Sequence, residues 1–206
     1  MNLSELNFIK NKRVAIVGSS GILLNTEFGQ EIDDHDVVVR FNVAKTDGYE
    51  KHVGSRTDIR VMNGHTWAGT TSKDIFPEFD DKFTSKLRDT TLIIKGDYND
   101  NQKKLGHQNT HPSNAIIIID VPFLLSCARA VKSKSIPTCG IITIILLSEL
   151  TDKLDCYGFN FYRDNWCDKH YWEKINEYDQ GKHHDISTEI TFLSKLNDDK
   201  IINLRY

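Results

Sequence analysis

The sequence predicts a three-layer α/β fold, a mainly parallel sheet flanked by helices, with all 206 residues in a single domain. Three observations carry that prediction. Short β-branched runs recur along the chain, stretches of helical character separate them, and the first run ends in a glycine-containing turn. A chain of this length can bury one proper hydrophobic core, and a second domain would have to be small.

Arg13 to Val17 is the first apolar run, and it enters the tight turn Gly18-Ser19-Ser20-Gly21. Asp36 to Arg40, Asp58 to Met62, Thr91 to Lys95, Ala115 to Val121 and Asp155 to Phe159 suit buried strands by length and by Val/Ile content. Pro122 to Lys132 reads as a helix. Gly140 to Leu150 is a second, opening just after Pro137-Thr138 and apolar nearly all round, as a helix packed deep against a sheet should be. The last helix is Ile186 to Leu196, whose apolar positions Ile186, Ile190, Leu193 and Leu196 recur at helical spacing, with Asp185 and Glu189 near its positive end. Gly96 to Ser113, rich in Asn, Gln and His, reads as an exposed loop.

Composition excludes several function classes. With 26 Lys plus Arg against 29 Asp plus Glu there is no broad electropositive field for nucleic acid or anionic lipid. No run approaches the ~20 apolar residues of a membrane span, so a soluble chain is expected, with peripheral membrane contact left open. The four cysteines, Cys127, Cys139, Cys156 and Cys167, lack CxxC or zinc-type spacing. Reduced thiols in a cytosolic compartment are the simpler reading.

The small residues of the turn at Gly18 to Gly21 would let backbone amides approach a phosphate or ribose. A nicotinamide fingerprint fits poorly, because the third glycine is missing and the next strand ends in Arg40 where an NAD enzyme needs an acid. An NADP-linked oxidoreductase could use Arg40 and stays open. Asp34-His35-Asp36 mimics a DxD metal motif, but its place before an apolar strand favours a solvated turn and strand start, and no metal site is assigned.

A longer colinear pattern is more specific. Val17-Gly18-Ser19-Ser20-Gly21, Gly29-Gln30-Glu31-Ile32-Asp33, His35-Asp36, Arg40-Phe41-Asn42 and Val53-Gly54-Ser55-Arg56-Thr57 occur in one block. That block resembles the large sialyl motif of the animal-type sialyltransferases, glycosyltransferase family 29. Pro137-Thr138-Cys139-Gly140, the apolar helix after it and Tyr157-Gly158-Phe159 resemble the family's small motif. His170-Tyr171-Trp172-Glu173 resembles the third motif, and His184-Asp185-Ile186-Ser187-Thr188-Glu189 the very small one.

The resemblance implies a Rossmann-like, GT-A-like variant of the α/β fold and an inverting, metal-independent transfer of sialic acid from CMP-sialic acid to a hydroxyl of an acceptor glycan. No cofactor beyond that donor is implied. Another CMP-linked acidic sugar, such as Kdo, would satisfy the same nucleotide chemistry. It casts His184 as the base on the acceptor hydroxyl and His170 as a donor to the leaving phosphate. Ser19, Ser20, Asn42, Thr138, Cys139 and Gly140 are expected to bind substrate, with Tyr157 as a ring contact or, as an aromatic ending a buried strand, part of the core, and Glu189 in a binding role or a structural one. Arg56 and Asp58 are expected to fix their own loop. His183, beside the expected base, could confuse a single mutant.

Departures from the family pattern carry information too. The cysteines that join its large and small motifs are replaced here by Val14 and Thr151, and Ser19 and Cys139 stand where Asn and Ser or Thr are usual. A missing clamp suits a reducing cytosol and implies a cytoplasmic protein of bacterial or viral type, or less readily a trimmed Golgi-lumenal catalytic core.

Overall fold

Seven short strands lie side by side in one sheet: β1 (Val14–Val17), β2 (Val37–Phe41), β3 (Ile59–Asn63), β4 (Thr91–Lys95), β5 (Ile116–Ile119), β6 (Leu154–Tyr157) and β7 (Asn203–Arg205). Their order is β5-β4-β3-β2-β1-β6-β7, and every pairing is parallel. The computed structural model describes residues 3–64, 87, 90–96, 115–160, 170–172 and 184–206. Cys167, Glu173, His183 and the loop after Gly96 fall outside those residues.

Five α-helices are described: α1 (Gly29–Asp33), α2 (Glu50–Val53), α3 (Val121–Val131), α4 (Cys139–Ser148) and α5 (Ile186–Asp198). Two 3-10 turns, Ser4–Ile9 and Gly21–Asn25, complete the set. Alternation along the strands separates the layers. Val14 and Ile16 of β1, with Val37 and Val39 of β2, join a core with Leu124 of α3, Ile141 of α4 and Leu193 of α5. Ala15, Val17 and Val38 point the other way, onto Leu23, Ile32 and Val53 from the second 3-10 turn, α1 and α2. The sheet is therefore covered on both faces, which is why its strands read as continuous Val/Ile runs.

Strand and helix positions agree with the sequence reading to within a residue or two at most ends. The run from Ala115 is shorter than expected. Asp120 accepts the Phe123 amide at 3.0 Å and caps α3, so Val121 opens a helix instead of closing a strand. Strand β7 and the short helices α1 and α2 are further elements that periodicity does not reveal. No helix among the described residues is long and apolar enough to cross a membrane.

The Asp34-His35-Asp36 segment is a turn, but its histidine is not solvated. His35 is 5 % exposed, with Nδ1 2.8 Å from the Glu31 carbonyl and Nε2 3.0 Å from Asp155 Oδ2. Asp33 accepts the amides of Ser55 and Arg56 and the Ser55 hydroxyl. Burial pushes its carboxyl up, yet those donors outweigh it and hold the group below the usual aspartate range. Arg56 donates to the carbonyls of Asp33 and His35 and pairs with Asp58 at 3.0 Å, so this pair fixes its own loop as expected.

Candidate functional site

The sheet order reverses between β1 and β6, and the crevice at the carboxyl ends of such strands is where open α/β sheets bind ligands. Here the two chains leave β1 and β6 at Gly18 and Gly158. The Gly18 amide donates to the Tyr157 carbonyl at 2.8 Å, and a Cβ on Gly18 would stand 2.7 Å from the Gly158 oxygen. Only glycine permits that approach. Ser20 caps the 3-10 turn by accepting the Ile22 amide at 3.3 Å, while its hydroxyl donates to Asn160 Oδ1 at 2.5 Å. One side chain thus bridges the loops that follow β1 and β6.

Asn42 follows β2 in the left-handed region, φ +42°, which asparagine tolerates better than most residues. Its Oδ1 accepts the Asn63 amide at 3.0 Å, which orients the side-chain NH2 as the remaining donor. Beneath it, in register on β2 and β3, are Arg40 and Arg60. Arg40 is fully buried and donates to the carbonyls of Arg56 and Val53; Arg60 donates to those of Asn42 and Ala44. Burial, then the neighbouring Arg40, lowers Arg60 to about 10. Both guanidiniums brace the loops under the cleft. Arg40 therefore cannot serve as the phosphate-reading residue of an NADP enzyme.

Tyr171 latches the third motif to this floor. Its amide donates to the Ser19 carbonyl at 3.0 Å, its hydroxyl to the Lys45 carbonyl, and burial pushes the phenol up to about 12. His170, next in the chain, stacks on Trp172 with ring centroids 4.7 Å apart and lines the cleft.

The opposite wall is the start of α4. Thr138 is its N-cap, with Cys139 and Gly140 as the first helical residues, so the positive end of the helix dipole meets the cleft. Thr138 is held by Glu189, whose oxygens accept its amide at 2.9 Å and its hydroxyl at 2.7 Å. Burial raises the Glu189 carboxyl, and the Thr138 bonds offset part of that rise. His184 stands beside them. Its Nδ1 lies 3.0 Å from the Ile136 carbonyl, which can only accept, so Nδ1 carries the proton and Nε2 bears the lone pair of the neutral ring.

Of the expected site residues, Ser19, Ser20, Asn42, Thr138, Cys139, Gly140, His170 and His184 line one cleft. Two do not reach it. Tyr157 alternates onto the α1 face, where it is buried against Phe28 and its hydroxyl donates to Glu31 at 2.8 Å, so it is not a ring contact for substrate. Glu189 is fully buried behind Thr138 and positions that residue. The cleft gains Asn63 and Lys95, the last residues of β3 and β4, which motif reading missed. The available signal was a polar residue ending an apolar strand. Among the described lining residues there is no Asp or Glu, although the whole chain carries a formal charge of -3.

Comparison with known proteins gives a family match. The model for glycosyltransferase family 29 (sialyltransferase) matches residues 3–201. The chain is 27% identical over 214 residues to the beta-galactoside alpha-2,6-sialyltransferase 2 of Bos taurus, covering 95% of this chain and 43% of the relative. It is 30% identical over 169 residues to the beta-galactoside alpha-2,6-sialyltransferase 1 of Mus musculus, covering 71% of this chain and 40% of the relative. The chain thus spans about two fifths of the length of these relatives. A solved mammalian sialyltransferase shares the fold with TM-score 0.69 and 24% identity, over 95% of this chain and 69% of that one. CstII from Campylobacter jejuni, solved with cytidine-5'-monophosphate, superposes with TM-score 0.52 and 16% identity over 95% of this chain and 79% of its own.

Proposed function

The chain belongs to glycosyltransferase family 29, and from that membership and the cleft we propose that it transfers an acidic sugar from a CMP-linked donor to a hydroxyl of an acceptor glycan. CMP-sialic acid is the favoured donor. The observation that carries the reading is the His184–Ile136 bond, which fixes an imidazole in a cleft at the switch point. The sialyltransferase activity of the relatives and the cytidine-5'-monophosphate bound to CstII support the same donor class.

In this reading Nε2 of His184 takes the acceptor hydroxyl proton while the oxygen attacks the anomeric carbon from the face opposite the phosphate. The bond between that carbon and the phosphate oxygen breaks, CMP leaves with the electron pair, and the configuration inverts. A base so placed contributes typically ~10²–10⁴ in rate. His170 donates to the departing phosphate, held in place by its stack on Trp172 and by the Tyr171 latch. The turn at Gly18 to Ser20, Asn42 and the start of α4 cradle the nucleotide.

We take the transfer to need no metal, because a monophosphate leaving group asks for modest neutralisation and the described lining offers imidazole, amide and ammonium donors. A reducing compartment belongs to the proposal as well. The Thr151 hydroxyl donates to the Lys12 carbonyl at 2.8 Å, tying one position of the family disulfide to the segment just before the other, Val14. Incubation with CMP-sialic acid and with CMP-Kdo, with and without EDTA and over an acceptor panel, tests the reading through CMP release. Activity that survives chelation supports it. Thermal protection by NADPH and none by CMP would overturn it.

A further inference from the structure

Lys95 is a cation in the cleft that no motif accounts for. It ends β4, an otherwise apolar strand, paired in register with Asn63 of β3 and Ile119 of β5. Its Nζ donates to the Pro137 carbonyl at 2.9 Å, which uses one of three ammonium hydrogens. Among the described residues it has no ion pair. Glu189 lies near enough to feel its field, but its hydrogen bonds go to Thr138, one on each oxygen. Lys95 is half-buried, and among the described residues that line the cleft there is no Asp or Glu to pair with it.

Its place in the sheet indicates which part of a substrate it meets. β4 lies three strands from β1, so at ~4.8 Å per strand Lys95 stands about 14 Å from the turn after β1. The carbonyl that holds it, Pro137, directly follows the Ile136 carbonyl that holds His184. Lys95 and His184 are thus held by consecutive residues of one segment and line the same cleft.

We infer that Lys95 binds a carboxylate of a substrate sugar at the His184 end of the cleft. The inference rests on the CMP-sugar reading above and deepens it. Two sources share that chemistry: the acid group that a CMP-linked ulosonic acid carries beside its anomeric carbon, and an acid group on the acceptor. A charge-assisted bond of this kind holds the anomeric carbon, or the attacking hydroxyl, against His184.

Lys95→Gln removes the charge but keeps an N–H for Pro137, and Lys95→Arg keeps the charge. Donor KM is measured with CMP-sialic acid, acceptor KM with a neutral and with a sialylated galactoside, and CMP affinity by titration. A donor KM raised roughly 10- to 100-fold in Lys95→Gln, with CMP affinity unchanged and most of the loss recovered in Lys95→Arg, supports the donor carboxylate. A rise confined to the sialylated acceptor supports the acceptor carboxylate. Unchanged values in Lys95→Gln, or CMP affinity falling as far as donor binding, overturn the inference and leave the CMP-sugar reading standing. A wild type that binds neither CMP nor CMP-sialic acid overturns that reading, and this inference with it.

Discussion

Glu189 and Thr138, 51 residues apart in sequence, form a two-point clamp in which one buried carboxylate accepts both the amide and the hydroxyl of the residue that caps α4. The clamp joins the first turn of α5 to the wall of the cleft, and the backbone that carries it also holds His184. Glu189→Ala leaves a buried amide without its acceptor, at about 1–3 kcal/mol of stability. Urea unfolding of this variant, of Thr138→Val and of the double mutant should show a non-additive coupling. Additive effects would dissolve the clamp.

His184→Ala should lower transfer by roughly 10²–10⁴ while leaving CMP affinity within about twofold of wild type. Steady-state kinetics and a CMP titration on the same preparation check both halves. Equal turnover in the variant would remove His184 from the mechanism.

The His35–Asp155 pair makes stability depend on pH. Both ring nitrogens of His35 face acceptors, so the ion is the form that satisfies them. The Asp155 bond raises His35, burial opposes that, the Glu31 carbonyl adds to it, and Arg13 works against it. Asp155 is lowered, chiefly by its bond to His35. A raised histidine contributes fully below its unfolded value near ~6.5, and loses that contribution as pH climbs through the folded value. The lowered carboxyl contributes above its unfolded value near ~3.9 and is lost as pH falls through the folded one. Urea unfolding at pH 5, 6, 7, 8 and 9 should show the advantage of wild type over His35→Gln shrinking as pH rises; a constant difference would reject the imidazolium pair.

Gly18→Ala should destabilise by about 1–3 kcal/mol and weaken CMP, since its methyl would meet backbone oxygens at 2.7 and 3.0 Å. Gly48→Ala is the control. Gly48 has φ +83° but open space around its Cβ position, so it should cost only about 1 kcal/mol and leave CMP affinity unchanged. Equal CMP affinity in both variants would separate the Gly18 contact from the site.

Much of the framework is legible because its signals are local. Thr138 can be read as a cap from the residues around it, and β1 to β6 from runs whose Val and Ile side chains face covered layers. β7 is not, because Asn203-Leu204-Arg205 is polar and short, and becomes a strand only where β6 supplies the ladder. Motif order named His184 and Ser20 as site residues, but left Tyr157 open between substrate and core. One residue of strand alternation turns that ring onto α1.

The sequence by itself determined a covered parallel α/β sheet, the family, and the residues of a nucleotide-type cleft, because strand periodicity, caps and ordered motifs are written in neighbouring positions. Only the tertiary structure decided that Glu189 clamps Thr138, that Arg40 is buried out of reach, that Nδ1 of His184 holds the proton and that Lys95 faces the cleft. The reason is topological. Parallel strands deliver their carboxyl ends to one edge from segments far apart in sequence, and which side chains meet there depends on strand order and register.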